Sequence, residues 1–191
     1  MLKHIRALPI AAVAVAATFL AGCSTSSSHP KKDVQVDAKW AQSFTNIHDL
    51  TAHSDIAVAG SFAKVTNHTY ISNVPSTDFS FTVMRILSDK KHLTSVGSAI
   101  TIDQTGGDTP DGYHAEVGDD PLFTVGENAV LFLHQVSPGK FQVIGGPNGR
   151  FKVNGAANAA SLASTTVTPF NVETVKFTGT IDQLAAEVAK P

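Results

Sequence analysis

Apolar and polar residues alternate with a period of two through most of the chain, and this pattern points to strands. Within residues 56–65, Ile56, Val58, Gly60 and Phe62 share one parity. Phe79, Phe81 and Val83, with Arg85, alternate with Ser80, Thr82 and Met84. Shorter runs occupy residues 99–103, 129–136, 141–144 and 150–153. Alternation of this kind buries one face of a strand and wets the other. Between the runs stand turn residues: Asn73-Val74-Pro75-Ser76, Thr105-Gly106-Gly107-Asp108, Pro138-Gly139 and Gly145-Gly146-Pro147-Asn148-Gly149. Pro138-Gly139 reads as a hairpin, and Gly60 in mid-strand suits a bulge or a sharp corner. The pattern predicts a mainly β domain, a small antiparallel β-barrel.

Two segments break the alternation. Phe44, Ile47 and Leu50 fall at helical spacing and predict a short N-terminal helix over 44–53, capped by Thr45 or Asn46. Thr180-Ile181-Asp182-Gln183 is a capping box, and Ile181, Leu184, Ala185 and Val188 line one face of a C-terminal helix that docks on the sheet. Residues 156–168 are small and polar and read as loop. The domain is expected over 40–191, with Trp40 at its start as a core residue.

The first residues follow a different logic. Lys3, His4 and Arg6 precede an apolar run that ends in Leu20-Ala21-Gly22-Cys23, the order of a secretory signal: charged start, apolar centre, small residues at the cut. The run is shorter than the ~20 residues a spanning helix needs, and Pro9 lies inside it. The tetrapeptide resembles the lipobox of bacterial lipoproteins. That resemblance implies cleavage between Gly22 and Cys23, a diacylglycerol thioether on Cys23, and a further acyl chain such as palmitate on the new amino terminus. It implies an extracytoplasmic protein on the cell membrane or outer membrane, with the bilayer as its partner through acylated Cys23. Ser24 after the cysteine implies outer-membrane sorting in an organism with two membranes. Residues 1–22 are then a signal peptide. Residues 23–39, rich in serine, read as a flexible tether that spans about 20–25 Å as a coil.

Composition narrows the function. There is one cysteine, so no intrachain disulfide framework exists. The formal charge is −2 with no basic run, which argues against nucleic acid. No Gly-x-Ser-x-Gly elbow, His-Glu-x-x-His zinc helix or phosphate loop occurs. The eight histidines are scattered without ligand spacing, and no metal or other cofactor is expected. Residues 103–120 carry the densest polar chemistry. Asp108, Asp111, Tyr113, His114, Glu116, Asp119 and Asp120 form the candidate binding loop, because long loops carry function more often than strands do. Carboxylates among glycines suit calcium, but the EF-hand template puts Gly107 and Gly118 where acids belong, so a solvated acidic loop is favoured. The leading expectation is a non-catalytic binding or scaffolding domain. The alternatives are a surface hydrolase using His114 with loop carboxylates, and a structural partner of envelope machinery.

A second resemblance concerns the domain. Ser54-Asp55-Ile56-Ala57-Val58-Ala59-Gly60, Phe81-Thr82-Val83-Met84-Arg85-Ile86-Leu87, Gly97, Asp120-Pro121-Leu122-Phe123, Val125-Gly126-Glu127, Val130-Leu131-Phe132-Leu133, Gly145-Gly146 and Gly149-Arg150-Phe151 stand in the order seen in bacterial surface lipoproteins. The core of those proteins is similar to the OB-like barrel of netrin and tissue metalloprotease-inhibitor modules. The resemblance spans residues 54–153 and implies the fold. Metalloprotease inhibition does not carry over, because Cys23 has no partner cysteine and is expected to be lipidated.

Overall fold

The computed structural model describes residues 32–37, 40, 42–155 and 160–191. In chain order the elements are β1 (Lys32–Val36), α1 (Ile47–His53), β2 (Ile56–Ile71), β3 (Val74–Asp89), β4 (Ala99–Thr105), β5 (Gly107–Asp108), β6 (Tyr113–Val117), β7 (Asn128–Ser137), β8 (Lys140–Val143), β9 (Arg150–Val153), β10 (Thr166–Pro169), β11 (Gly179–Thr180) and α2 (Ile181–Val188). Five strands close a barrel in the order β2-β3-β4-β8-β7 and back to β2. Every pair in the ring is antiparallel except β4 with β8, where Thr101 faces Lys140 and Ile102 faces Phe141. That single parallel closure gives the OB-like order, so the expected fold class is the observed one.

Local chemistry sets the strand lengths. Ser72 and Asn73 both adopt left-handed backbone, φ 52° and 66°, and make the two-residue turn between β2 and β3. A turn with positive φ at both central residues matches the right-handed twist of its flanking strands. The turn therefore comes earlier than the Asn73–Ser76 signal suggests, and Val74 and Pro75 already lie in β3. Four register shifts along β2 and β3 bend this long hairpin around the barrel. Gly60 sits at one of them; a Cβ there would stand 2.0 Å from the Thr82 carbonyl oxygen and 2.8 Å from the Phe81 ring. Pro138 and Gly139 turn β7 into β8 as expected, with Gly139 at φ 74°.

The barrel interior is filled by Phe62, Phe79, Phe81, Phe141, Ile102 and Leu131 with their neighbours. A second core lies on the outer face of β2, β7 and β9, where Ala57, Ala59, Phe132 and Phe151 meet Leu50 of α1 and Ile181, Leu184 and Val188 of α2. Residues 56–59 and 129–133 are thus buried on both faces, rather than on one as simple alternation implies. Small Ala57 and Ala59 let the helices approach. Asn46 caps α1 by accepting from the Asp49 amide at 2.8 Å. The Thr180 box on α2 forms in both directions, at 3.2 and 2.8 Å.

Other sequence expectations need correction. Lys32–Val36, inside the stretch read as tether, is a strand paired in parallel with β6. Residues 166–168, read as loop, belong to β10, which pairs with β9 and β11. β1 is exposed throughout, and β10 buries only Val167 and Pro169 within four residues, so neither carries a run of alternation long enough to reveal it. The leader, the lipobox and Cys23 lie outside the described residues.

Gly60→Val is expected to lower stability by about 3 kcal/mol, because the new side chain meets backbone that cannot retreat without opening β2–β3. Urea unfolding measures this as a lower midpoint at unchanged slope.

Candidate functional site

The segment 103–120 is not one loop but two surfaces. β5 and β6 form a hairpin in which His114 stands opposite Asp108, with Nδ1 2.8 Å from the Asp108 carboxylate. Its Nε2 lies 3.8 Å from Glu116, two residues along the same strand and hence on the same face. Asp33 of β1 pairs in register with His114. Asp111 is exposed in the hairpin turn, and Tyr113 lies under the Lys32 ammonium at 5.9 Å. A histidine between carboxylates is a hydrogen-bonded, partly solvated row. Nucleophilic chemistry needs a hydroxyl or thiol in reach of the ring. Among the described residues the bonding partners of His114 are both carboxylates. No group of three or more His, Cys, Asp or Glu with metal-holding geometry occurs among the described residues.

Asp119 and Asp120 turn the other way. Asp119 accepts from the Trp40 indole N–H at 3.0 Å, and Trp40 lies flat over Gly146, where any Cβ would be 2.5 Å from the ring. Asp120 is buried. With Trp40, Asp103, Gln104 and Gln142 it lines a small polar cavity of about 90 Å³. Gln104 of β4 holds this segment to the barrel: its amide nitrogen donates to the Asp120 and Pro121 carbonyls at 3.3 and 3.1 Å, and its oxygen accepts from the Phe123 amide at 3.0 Å. Burial pushes the Asp120 carboxyl above its ordinary value, against the pull of Arg150 at 3.6 Å.

Arg150 is the residue that sequence reasoning missed. At 3% exposure it is among the most buried charges in the domain. Its Nη2 meets both oxygens of Glu127 at 2.8 and 3.0 Å, and its Nη1 donates to the Pro121 carbonyl at 2.8 Å. The guanidinium lies between two rings, 4.3 Å from the centroid of Phe123 and 4.3 Å from that of Phe170. Phe123 in turn stacks on Phe62 at 4.1 Å and 19°, inside the barrel. The available signal was parity: Arg150 and Lys152 share one side of a strand whose other side carries Phe151 and Val153.

Together these features define a class, a closed OB-like barrel with a small accessory sheet, two packed helices and a cation-plugged rim. No family model matches the chain, and no curated protein matches it in sequence.

Arg150→Leu is expected to cost about 3–5 kcal/mol, since it strands Glu127 and Asp120 at a desolvated rim, and Arg150→Lys recovers only part because an ammonium cannot stack between the rings. Thermal unfolding ranks the three proteins.

Asp120 yields a pH prediction. As pH rises past its ordinary value of 3.8, the unfolded carboxyl ionises before the folded one, so stability declines until the folded group ionises too. Asp55, held below 3.8 mainly by its bond to Lys91, acts in the opposite window and loses its contribution as pH falls beneath that value. Asp120→Asn should therefore match or exceed the parent in stability at pH 7, with the advantage gone at pH 4, read from urea midpoints at both pH values.

Proposed function

We propose that the protein is a lipid-anchored extracytoplasmic module that binds or scaffolds rather than catalyses. The observation that carries this reading is the tetrapeptide Leu20-Ala21-Gly22-Cys23, closing an apolar run behind a cationic start in a chain with one cysteine. Acylated at two positions, such a terminus holds a protein on a bilayer: each buried methylene contributes about 0.8 kcal/mol, and a second chain turns marginal binding into stable anchoring. No helix among the described residues is long and apolar enough to cross a membrane. The body is slightly acidic, so attraction to anionic lipid adds little and the acyl chains do the holding.

The domain's form supports a binding role. Phenylalanines fill the barrel interior, so the surfaces open to a partner are the rim, the outer strands and the β5–β6 hairpin. The hairpin with His114, Asp108 and Glu116 offers a polar, acidic face to an envelope protein or a small ligand.

Cys23→Ala is expected to move the protein from the membrane pellet to the soluble fraction and to abolish labelling by a fatty-acid probe. Continued labelling, or an unmodified thiol on the mature protein by mass spectrometry, rejects the anchor.

A further inference from the structure

The sheet formed by β7, β9 and β10 runs on past the barrel rim, and Arg150 and Lys152 stand two residues apart on one side of β9. Phe170 follows β10, its amide donating to the Arg150 carbonyl at 2.8 Å. The Phe170 ring carries the Lys152 ammonium 4.4 Å from its centroid and the Arg150 guanidinium 4.3 Å from it. With Glu127, Asn128 and Asn154 these residues line a groove of about 650 Å³, within the size range of small-ligand sites.

We propose that this groove binds a small ligand through an anionic head, a carboxylate or a phosphate, with Lys152 as the charge that meets it. The inference rests on reading the domain as a binding module and does not depend on the anchor. Its first support is charge bookkeeping. Glu127 is the acid in the groove, and both of its oxygens are already engaged by Arg150, one of them also by the Thr124 amide at 3.1 Å. Lys152 has no acidic partner among the described residues, as is also true of Lys64 and Lys90, whereas Lys91, Lys140 and Lys190 each lie within 2.8 Å of a carboxylate; what sets Lys152 apart is its place in the groove. Among the cations that line the groove, Arg150 is thus answered by Glu127, with Asp120 behind it at 3.6 Å, and Lys152 is the one without a carboxylate at contact distance among the described residues.

Two further observations agree. Stacking on Phe170 holds the lysine along the groove wall, so part of the ordering that a bound anion would demand is already in place. Arg150 lines the same groove, and its Nε–H is buried without an acceptor, a donor whose hydrogen-bonding capacity is unspent. Asn128 lines the same groove and brings a neutral polar group to it, and the half-buried Phe170 ring offers apolar contact to the body of a ligand. A cationic ligand fits poorly, because Glu127, the carboxylate lining the groove among the described residues, is already engaged by Arg150.

The test is an amide NMR titration of the full chain in nonionic detergent, with inorganic phosphate and separately with acetate, at ionic strength held constant with chloride. Saturable shifts at Asn128, Lys152 and Asn154 are expected at or below about 10 mM of at least one titrant, and the titrant that saturates names the head group. Lys152→Gln should weaken that binding about tenfold, and Lys152→Arg should keep it, with both variants melting as the parent does. No saturable shift from either anion, or equal binding by Lys152→Gln, overturns the proposal. Either result leaves membrane fractionation of the parent and Cys23→Ala proteins untouched, so the anchor and the groove stand or fall separately.

Discussion

A charged side chain plugged between aromatic rings is the constraint on which the rest of this domain depends. Phe62, Phe123, Arg150 and Phe170 make one continuous stack from the barrel interior to its rim, with spacings of 4.1, 4.3 and 4.3 Å. Guanidinium suits this position because it is planar and weakly hydrated, so its faces accept rings while its edge keeps its hydrogen bonds. Burying the charge still costs several kcal/mol, offset by the two-oxygen pairing with Glu127 and the Pro121 carbonyl. These partners come from different parts of the chain: the segment after β6, the approach to β7, and the end of β10. One side chain thus joins the closed barrel to the sheet that extends from it.

The extension exists because β2 and β7 are buried twice. Their inward residues complete the barrel core, and their outward residues form the floor on which α1 and α2 rest. A five-strand barrel alone would expose that outer face. The alanines at 57 and 59 keep the floor flat, and Phe132 and Phe151 supply the apolar bulk that the helices cover. α2 docks through Ile181, Leu184 and Val188, and Arg85 of β3 reaches Asp182 at 2.5 Å to fix its first turn. Helix and barrel are therefore stabilised by the same strands, which links their unfolding.

What was legible in the sequence follows from how each element is held. The hairpin at Pro138-Gly139, the corner at Gly60 and the α2 capping box rest on local backbone chemistry, and all three stand where the residues place them. The barrel strands carry their pattern in the side chains they bury. β1 does not: all five of its residues are exposed, so main-chain pairing with β6 holds it and no periodicity marks it. β10 does bury Val167 and Pro169, but in four residues with threonines between them the alternation is too short to stand out from loop. The candidate site was legible as a concentration of acids but not as a geometry. Asp108, His114 and Glu116 meet on one face of a hairpin, whereas Asp119 and Asp120 turn toward Trp40 and Arg150. Gln104, a single residue of β4, fixes the second half, its amide gripping the main chain of Asp120, Pro121 and Phe123.

The same division separates two electrostatic roles. Acids on the β5–β6 hairpin are solvated, with His114 between them, and screening by salt keeps their field short-ranged. Of the acids at the rim Asp120 is buried and Glu127 half-buried, so both lean on a cation close at hand. Glu127 is answered by Arg150, while Asp120, at 3.6 Å, is answered only in part, and its carboxyl holds its proton more tightly as a result. Because the rim cation is committed to its carboxylates, charge recognition at that end passes to the next residue on the same side of β9, Lys152, which rests on Phe170 and has no carboxylate partner among the described residues. A strand that places one cation under the rim and another beside it, two positions on, thereby supplies a structural plug and a free charge from a single run of alternating residues.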